Sequence, residues 1–213
     1  MIRIALAACL LLASAVEALD IDLTPYRQAR SAGALGSVAG RAIAEPPRPS
    51  APGRPFAGTA VTLLPRSPIL LGTLEGLKRG ARDTLETYRE AAPAMRKARE
   101  AFERELLEAG APDLSPLLQV DQDGTFRFDD LPAGPWVAFG WYTVSNDVAT
   151  GRPNPREQLL FPRLLRLRGF KTVTIWLREL TVDGGRTATV ELTDRNEWFT
   201  GVIEEKVLDA VGR

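Results

Sequence analysis

The chain has 213 residues, 45% of them hydrophobic and 25% charged, with 27 basic side chains, 27 acidic ones and no histidine. That length suits one domain with a large insertion, and the composition is that of an ordinary globular protein, not of a disordered or polytopic membrane chain. Balanced charge excludes a global field that would steer the protein to nucleic acid or anionic lipid. The missing histidine excludes Ser-His-Asp triads, His-ligated zinc and the commonest general base.

Residues 1–18 have the parts of an export signal: basic Arg3, an apolar run Ile4 to Leu12, and small residues suited to cleavage after Ala13-Ser14-Ala15 or Val16-Glu17-Ala18. The run is shorter than the roughly 20 residues a bilayer span takes, so no transmembrane anchor is expected after processing. Leu6-Ala7-Ala8-Cys9 has the form of a lipoprotein box, but too few apolar residues precede it, and a periplasmic or secreted protein without a lipid anchor is the expectation. Cys9 is the sole cysteine, so the mature chain is expected to lack disulfides.

Residues 19–36 form an N-terminal segment with alternating Leu19, Ile21 and Leu23 and no clear element. Val38 to Ala44 is a predicted strand, Glu45 to Pro55 a Pro-rich loop, and Phe56 to Leu64 a second strand with Thr59, Val61 and Leu63 on one face. From 73 to 110 the period changes to about 3.5. Leu74, Leu77, Ala81, Leu85, Tyr88, Ala92, Met95, Phe102 and Leu106 make one apolar stripe, with Thr73 as expected N-cap and Gly110 as stop. Pro93 predicts either one kinked helix or a helical hairpin turning near Ala91 to Pro93, and because a single helix of this length would end about 55 Å from its start, the hairpin is the expectation.

Strand texture resumes at Leu118. Asp121 to Gly124 reads as a turn between two strands, with Phe126 and Phe128 on one face, and Leu131 to Gly134 as the next reversal before a strand from Trp136 to Val144. Ser145 to Pro162 is a polar loop. Val173, Ile175 and Leu177 then alternate with Thr174, Trp176 and Arg178, and Asp183-Gly184-Gly185 leads as a hairpin turn into Thr187 to Leu192. Residues 195–213 form a tail that adds a strand or packs as a short helix. The fold class expected is mainly β, a seven-stranded antiparallel β-sandwich carrying an inserted α-helical hairpin.

Val38-Ala39-Gly40-Arg41, Phe56 to Leu63, Asp121 to Trp136, Gly169-Phe170 and Gly184 to Leu192 together resemble the carboxypeptidase regulatory-like domain, a prealbumin-like sandwich found in exported bacterial proteins. The resemblance places that domain at 37–194 and implies a non-catalytic accessory or binding module. Its departures are the helical insertion and the long loop before Gly169.

No catalytic, cofactor-binding or metal-ligating residues are assigned. Asp129 and Asp130 are adjacent on a strand and point to opposite faces, and Asp121 to Gly124 lacks the later acidic ligand of a calcium loop. Arg163, Arg166, Arg168 and Lys171 read as a solvated basic face, with no nucleic-acid partner. The candidate ligand residues are Trp176, Trp136 and Tyr142, an aromatic platform for a glycan. Trp176 is out of phase with Val173, Ile175 and Leu177 and is the ring expected to face solvent. The leading reading is protein interaction in the cell envelope, with the helical insertion as contact surface. An open apolar stripe on the helices would support that reading, and solvent-facing coplanar rings would support the glycan one.

Overall fold

A computed structural model describes residues 21–46, 52–147 and 165–208. The export signal and most of the loop before residue 165 lie outside them. Helix α1 (Thr24–Ser31) precedes strand β1 (Leu35–Ala44), followed by β2 (Arg54–Pro55) and β3 (Ala60–Pro65). Helices α2 (Pro68–Gly80) and α3 (Leu85–Glu108) come next, then β4 (Leu117–Gln119), β5 (Thr125–Pro132), β6 (Gly134–Asp147), β7 (Leu165–Val182), β8 (Thr187–Leu192) and β9 (Phe199–Leu208). The nine strands form two sheets. In sheet I, β1 pairs antiparallel with β5 on one edge and parallel with β8 on the other, and β2 joins the far end of β1. Sheet II has the order β4-β3-β6-β7-β9, antiparallel throughout.

A mainly β sandwich with a helical insertion is therefore observed, with nine strands in place of seven and one parallel pair among the described residues. The turns at Asp121–Gly124 and Asp183–Gly185 are not hairpins, because β4 and β5, and likewise β7 and β8, belong to different sheets. The tail supplies an edge strand, since β9 pairs with β7.

Sheet I buries one face only. Val38, Ala42, Phe126, Phe128, Val190 and Leu192 point into the sandwich, while Arg41, Arg127, Asp129, Thr187, Thr189 and Glu191 alternate with them and are exposed. Such alternation is the mark of a half-wet antiparallel surface. Sheet II instead buries both faces. Val61 through Leu64 are consecutive and all buried, as are Trp136 through Phe139 and the pair Ile175 and Trp176. One face meets sheet I, and the helical hairpin covers the other.

That hairpin begins earlier and turns earlier than its sequence suggests. Ser67 is the N-cap of α2, its hydroxyl accepting from the Leu70 N–H at 2.9 Å, with Pro68 in the first helical position. Thr73 lies inside the helix. The turn is at Ala81 to Thr84, where Thr84 and Thr87 form a reciprocal cap on α3, and α3 runs through Pro93 without a break. At the far end the Gly110 N–H bonds the Leu107 carbonyl and the Ala111 N–H the Leu106 carbonyl, with Gly110 at φ 70°. This glycine-terminated motif stops the helix where expected.

Ala92, Met95, Phe102 and Leu106 of α3 are buried. Leu85 is 65% exposed, because the turn breaks the phase of the stripe before it. Arg99 falls on the buried stripe. Its guanidinium donates to Thr62 Oγ1 at 2.8 Å, pairs with Glu103 at 3.1 Å and lies 5.6 Å from the Phe139 ring centre. Trp198 secures α2, donating from Nε1 to Glu75 at 2.8 Å beneath the Lys78 ammonium.

Burial pushes the Glu103 carboxyl above its ordinary value of 4.5, opposed by Arg99 and reinforced by Glu100. A raised folded value means that the folded chain keeps this proton over a window where the unfolded chain has lost it. The stabilisation is complete below 4.5 and disappears as pH rises through the raised value. Relative to Glu103→Gln, the wild type is therefore expected to hold its greatest advantage below pH 4.5 and to lose it as pH rises toward neutrality, measured by urea denaturation at each pH.

Candidate functional site

The three aromatic residues selected from the sequence do not form an exposed platform. Trp136 and Trp176 are 0% exposed. Trp136 Nε1 donates to the Pro132 carbonyl at 3.0 Å, and the ring meets Tyr26 edge-on at 5.4 Å. Trp176 Nε1 donates to the Thr193 carbonyl at 2.7 Å, and its ring packs on Phe56 inside the sandwich. The expectation that Trp176 faces solvent is thus corrected. Its out-of-phase position puts it on the inter-sheet face, while Val173 and Ile175 lie under the helices. Tyr142 is half-buried with its ring edge-on to Phe56 at 5.2 Å. Trp141 stacks on Phe139 with an interplanar angle of 17° beside Arg96. The apolar stripe of the helices is buried at Leu74, Ala81, Ala92, Met95, Phe102 and Leu106 and open at Leu85.

Among the described residues, the outer face of sheet I is left exposed at Arg41, Arg127, Asp129, Thr187, Thr189 and Glu191. It contains a hollow of about 460 Å³ lined by Ala39, Arg41, Asp121, Thr125, Arg127 and Glu191, among others. A second hollow of about 440 Å³ adjoins it, bounded by Ile43, Glu45, Asp123 and Thr193 and sharing Arg41 and Glu191 with the first. The two are of the size usual for ligand clefts. The strands explain the lining: alternate residues of β1, β5 and β8 point outward, and β1 lies between the other two. Gly40, Phe126 and Val190 also border it.

Hydrogen bonds fix the polar groups. Asp123 Oδ1 accepts from Thr125 Oγ1 at 2.7 Å and from the Thr125 N–H at 2.9 Å, which holds its carboxyl below the ordinary value with help from Arg41. Asp129 accepts from Ser37 Oγ at 2.7 Å and from Arg127 at 2.8 Å, and is lowered likewise. Arg195 pairs with Glu45 at 2.8 Å. Among the described residues no group of three His, Cys, Asp or Glu side chains is placed to hold a metal, and no helix is long and apolar enough to cross a membrane. The basic residues Arg163, Arg166 and Arg168 lie where side chains are not described. Arg41, Thr125, Arg127 and Glu191 fall in segments that read as strands of the sandwich and carry no ligand signal beyond outward phase, and Asp121 reads only as a turn or calcium-loop residue.

No family model matches the chain, and no curated protein does. Among solved structures it is similar to a candidate carbohydrate-binding protein of Pseudomonas aeruginosa, with 16% identity, a TM-score of 0.42, and coverage of 75% of this chain and 88% of that one. It is also similar to the minor pilin of Streptococcus agalactiae, at 13% identity and TM-score 0.30, and to the pilus backbone protein of Streptococcus pneumoniae, at 10% and 0.28. The matches take in 82% and 75% of this chain but 45% and 41% of the two pilus proteins. None of the three is similar enough to carry a function across, and the carboxypeptidase regulatory-like family is not established by them.

Proposed function

We propose that this protein is an exported, non-enzymatic binding module whose contact surface is the outer face of sheet I. The observation that carries the reading is the asymmetry of the sandwich: sheet II is buried on both sides, whereas the outer face of sheet I carries exposed Arg41, Arg127, Thr189 and Glu191 around two hollows. This replaces the helical hairpin as the contact surface, because Leu74, Ala92, Met95, Phe102 and Leu106 of its stripe are buried, although Ile69, Leu85 and Leu107 stay exposed on it. The non-enzymatic reading is supported by the lack of histidine and by the engagement of Asp129, a member of the one adjacent Asp pair weighed as an acid-base candidate, with Ser37 and Arg127. Export rests on the signal-like residues 1–18.

The test is capture from envelope extract with three forms of the chain. Thr189→Trp places a bulky ring on the open face at an exposed position, and Glu90→Arg alters the solvent side of α3. Wild type and Glu90→Arg are expected to retain the same partner, and Thr189→Trp to lose at least tenfold of it. Loss with Glu90→Arg and retention with Thr189→Trp would return the contact surface to the helices.

A further inference from the structure

An edge strand exposes unpaired N–H and C=O groups that another strand can take up, and folded chains blunt such edges with prolines, bulges, charges, short runs or a covering element. Most edges of the two sheets are blunted in this way. Strands β2 and β4 have two and three residues. Strand β5 is irregular against β1 and holds Asp130 at φ 57° before Pro132. Helix α3 lies against β9 through Tyr88 on Phe199 and Arg89 on Glu204, and β7 beyond its pairing with β9 carries exposed Arg178 and Glu179. Strand β8 differs. Its six residues, Thr187-Ala188-Thr189-Val190-Glu191-Leu192, include no proline, glycine or lysine and keep an unbroken parallel register with β1, its one partner strand among the described residues. The Ser37 N–H donates to the Arg186 carbonyl at 2.9 Å, with Ser37 opposite Thr187. That ladder uses the backbone groups of alternate residues, Ala188 and Val190 among them, and turns those of Thr187, Thr189 and Glu191 away from β1. Among the described residues only the Glu191 carbonyl of this outward row has a partner, Asn196 Nδ2 at 2.9 Å.

We infer that β8 pairs antiparallel with β8 of a second copy of this chain about a two-fold axis at Thr189, which joins the two copies of sheet I into one continuous sheet. The strand is complementary to itself about that residue. Thr189 exchanges both backbone hydrogen bonds with its counterpart, and each Glu191 N–H meets the Thr187 carbonyl of the other copy. Asn196, already on the Glu191 carbonyl, closes the ladder at either end. On the outer face Thr189 meets Thr189 and Thr187 meets Glu191, while Ala188 meets Val190 on the face toward the sandwich. Threonine pairs are favourable directly across antiparallel strands, and no like charges are opposed. The two Glu191 side chains stand four residues apart along the strands, about 14 Å. Both outer faces look the same way, so a bivalent partner meets the two together. A five-residue ladder falls in the small-interface class, under about 1,200 Å², so the dimer is expected to dissociate on dilution.

Sedimentation equilibrium of the chain without residues 1–18 reads this assembly with no partner present, so the result is independent of what the outer face binds. The mass is expected to rise from one chain to two, and no further, between about 10 µM and 1 mM, the range of weak interfaces. Thr189→Pro removes an outward N–H and no bond to β1, and is expected to weaken the dimer at least tenfold with melting nearly unchanged. Ala188→Pro removes an N–H that serves β1, and is expected to lower melting. Thr187→Arg sets a cation opposite Glu191 of the second copy and is expected to tighten the dimer two- to tenfold, a gain that Glu191→Gln removes. A chain monomeric at about 1 mM, growth past two chains, a dimer indifferent to Thr189→Pro, or a Thr187→Arg dimer no tighter than wild type would overturn the assignment.

Discussion

Replacing Trp176 with alanine is expected to cost about 3–5 kcal/mol, the range for removing a large buried aromatic side chain. Trp176 is fully buried, lies against Phe56, and sits across the β6–β7 pair from Gly140, whose missing side chain makes room for the indole. A Cβ on Gly140 would come within 3.1 Å of both Trp176 and Leu192. The truncation therefore opens a cavity in the middle of the inter-sheet layer, where rigid strands on both sides limit collapse. The Thr193 carbonyl loses the indole N–H but keeps the Asn196 N–H, so cavity formation outweighs the lost hydrogen bond. Thermal unfolding is expected to fall by roughly 6–20 °C, at about 2–4 °C per kcal/mol for a chain of this size. Trp176→Phe retains most of the ring and is expected to cost less than half as much. A loss under 0.5 kcal/mol for Trp176→Ala, with acrylamide quenching equal to that of an exposed tryptophan, would place this ring on the surface.

Pro93→Ala is expected to act in the opposite direction and stabilise the protein by about 1–3 kcal/mol. Proline in a helix interior removes one backbone hydrogen bond and crowds the preceding turn, a penalty of about 3 kcal/mol relative to alanine. Pro93 stands nine residues into the 24-residue α3. Its neighbours Ala91 and Ala92 are buried, and a Cβ placed on Gly201 of β9 would lie 3.2 Å from the Ala92 side chain. That close seat constrains the helix path, so part of the penalty is expected to persist as packing adapted to the proline. Guanidinium denaturation resolves the change. Destabilisation by more than 1 kcal/mol would show that Pro93 sets a bend on which the contact between α3 and β9 depends.

The sandwich was legible because its strands carry period-two patterns and because Asp-Gly and Gly-Gly mark turns. What those turns join was not. Asp121–Gly124 and Asp183–Gly185 have hairpin chemistry, yet each passes the chain from one sheet to the other, a choice made by distant strands. Trp176 shows a second limit. Alternation identifies an exposed residue only when one face of the sheet is wet, and the helical hairpin, itself predicted, covers the face of sheet II that would have been. The runs Val61 to Leu64 and Trp136 to Phe139 carried the correction in their lack of alternation. In the hairpin, the start signal that acts is Ser67-Pro68 and not Thr73, and the chain turns ahead of Thr84, which caps α3, and not at Pro93. The hollows on the outer face of sheet I were the least legible feature, since Arg41, Asp121 and Glu191 are brought together only by the parallel pairing of β1 with β8 and by the turn that leads into β5.

The central claim, that partners meet the open face of sheet I, is tested most directly by thiol protection. In a Cys9→Ser background the chain has no cysteine, so single cysteines introduced by Thr189→Cys on β8 and Glu90→Cys on α3 report on the two competing surfaces. With the captured partner bound at saturation, labelling by a maleimide is expected to slow at least tenfold at position 189 and to be unchanged at position 90. Protection at position 90 with free labelling at position 189 would contradict the account.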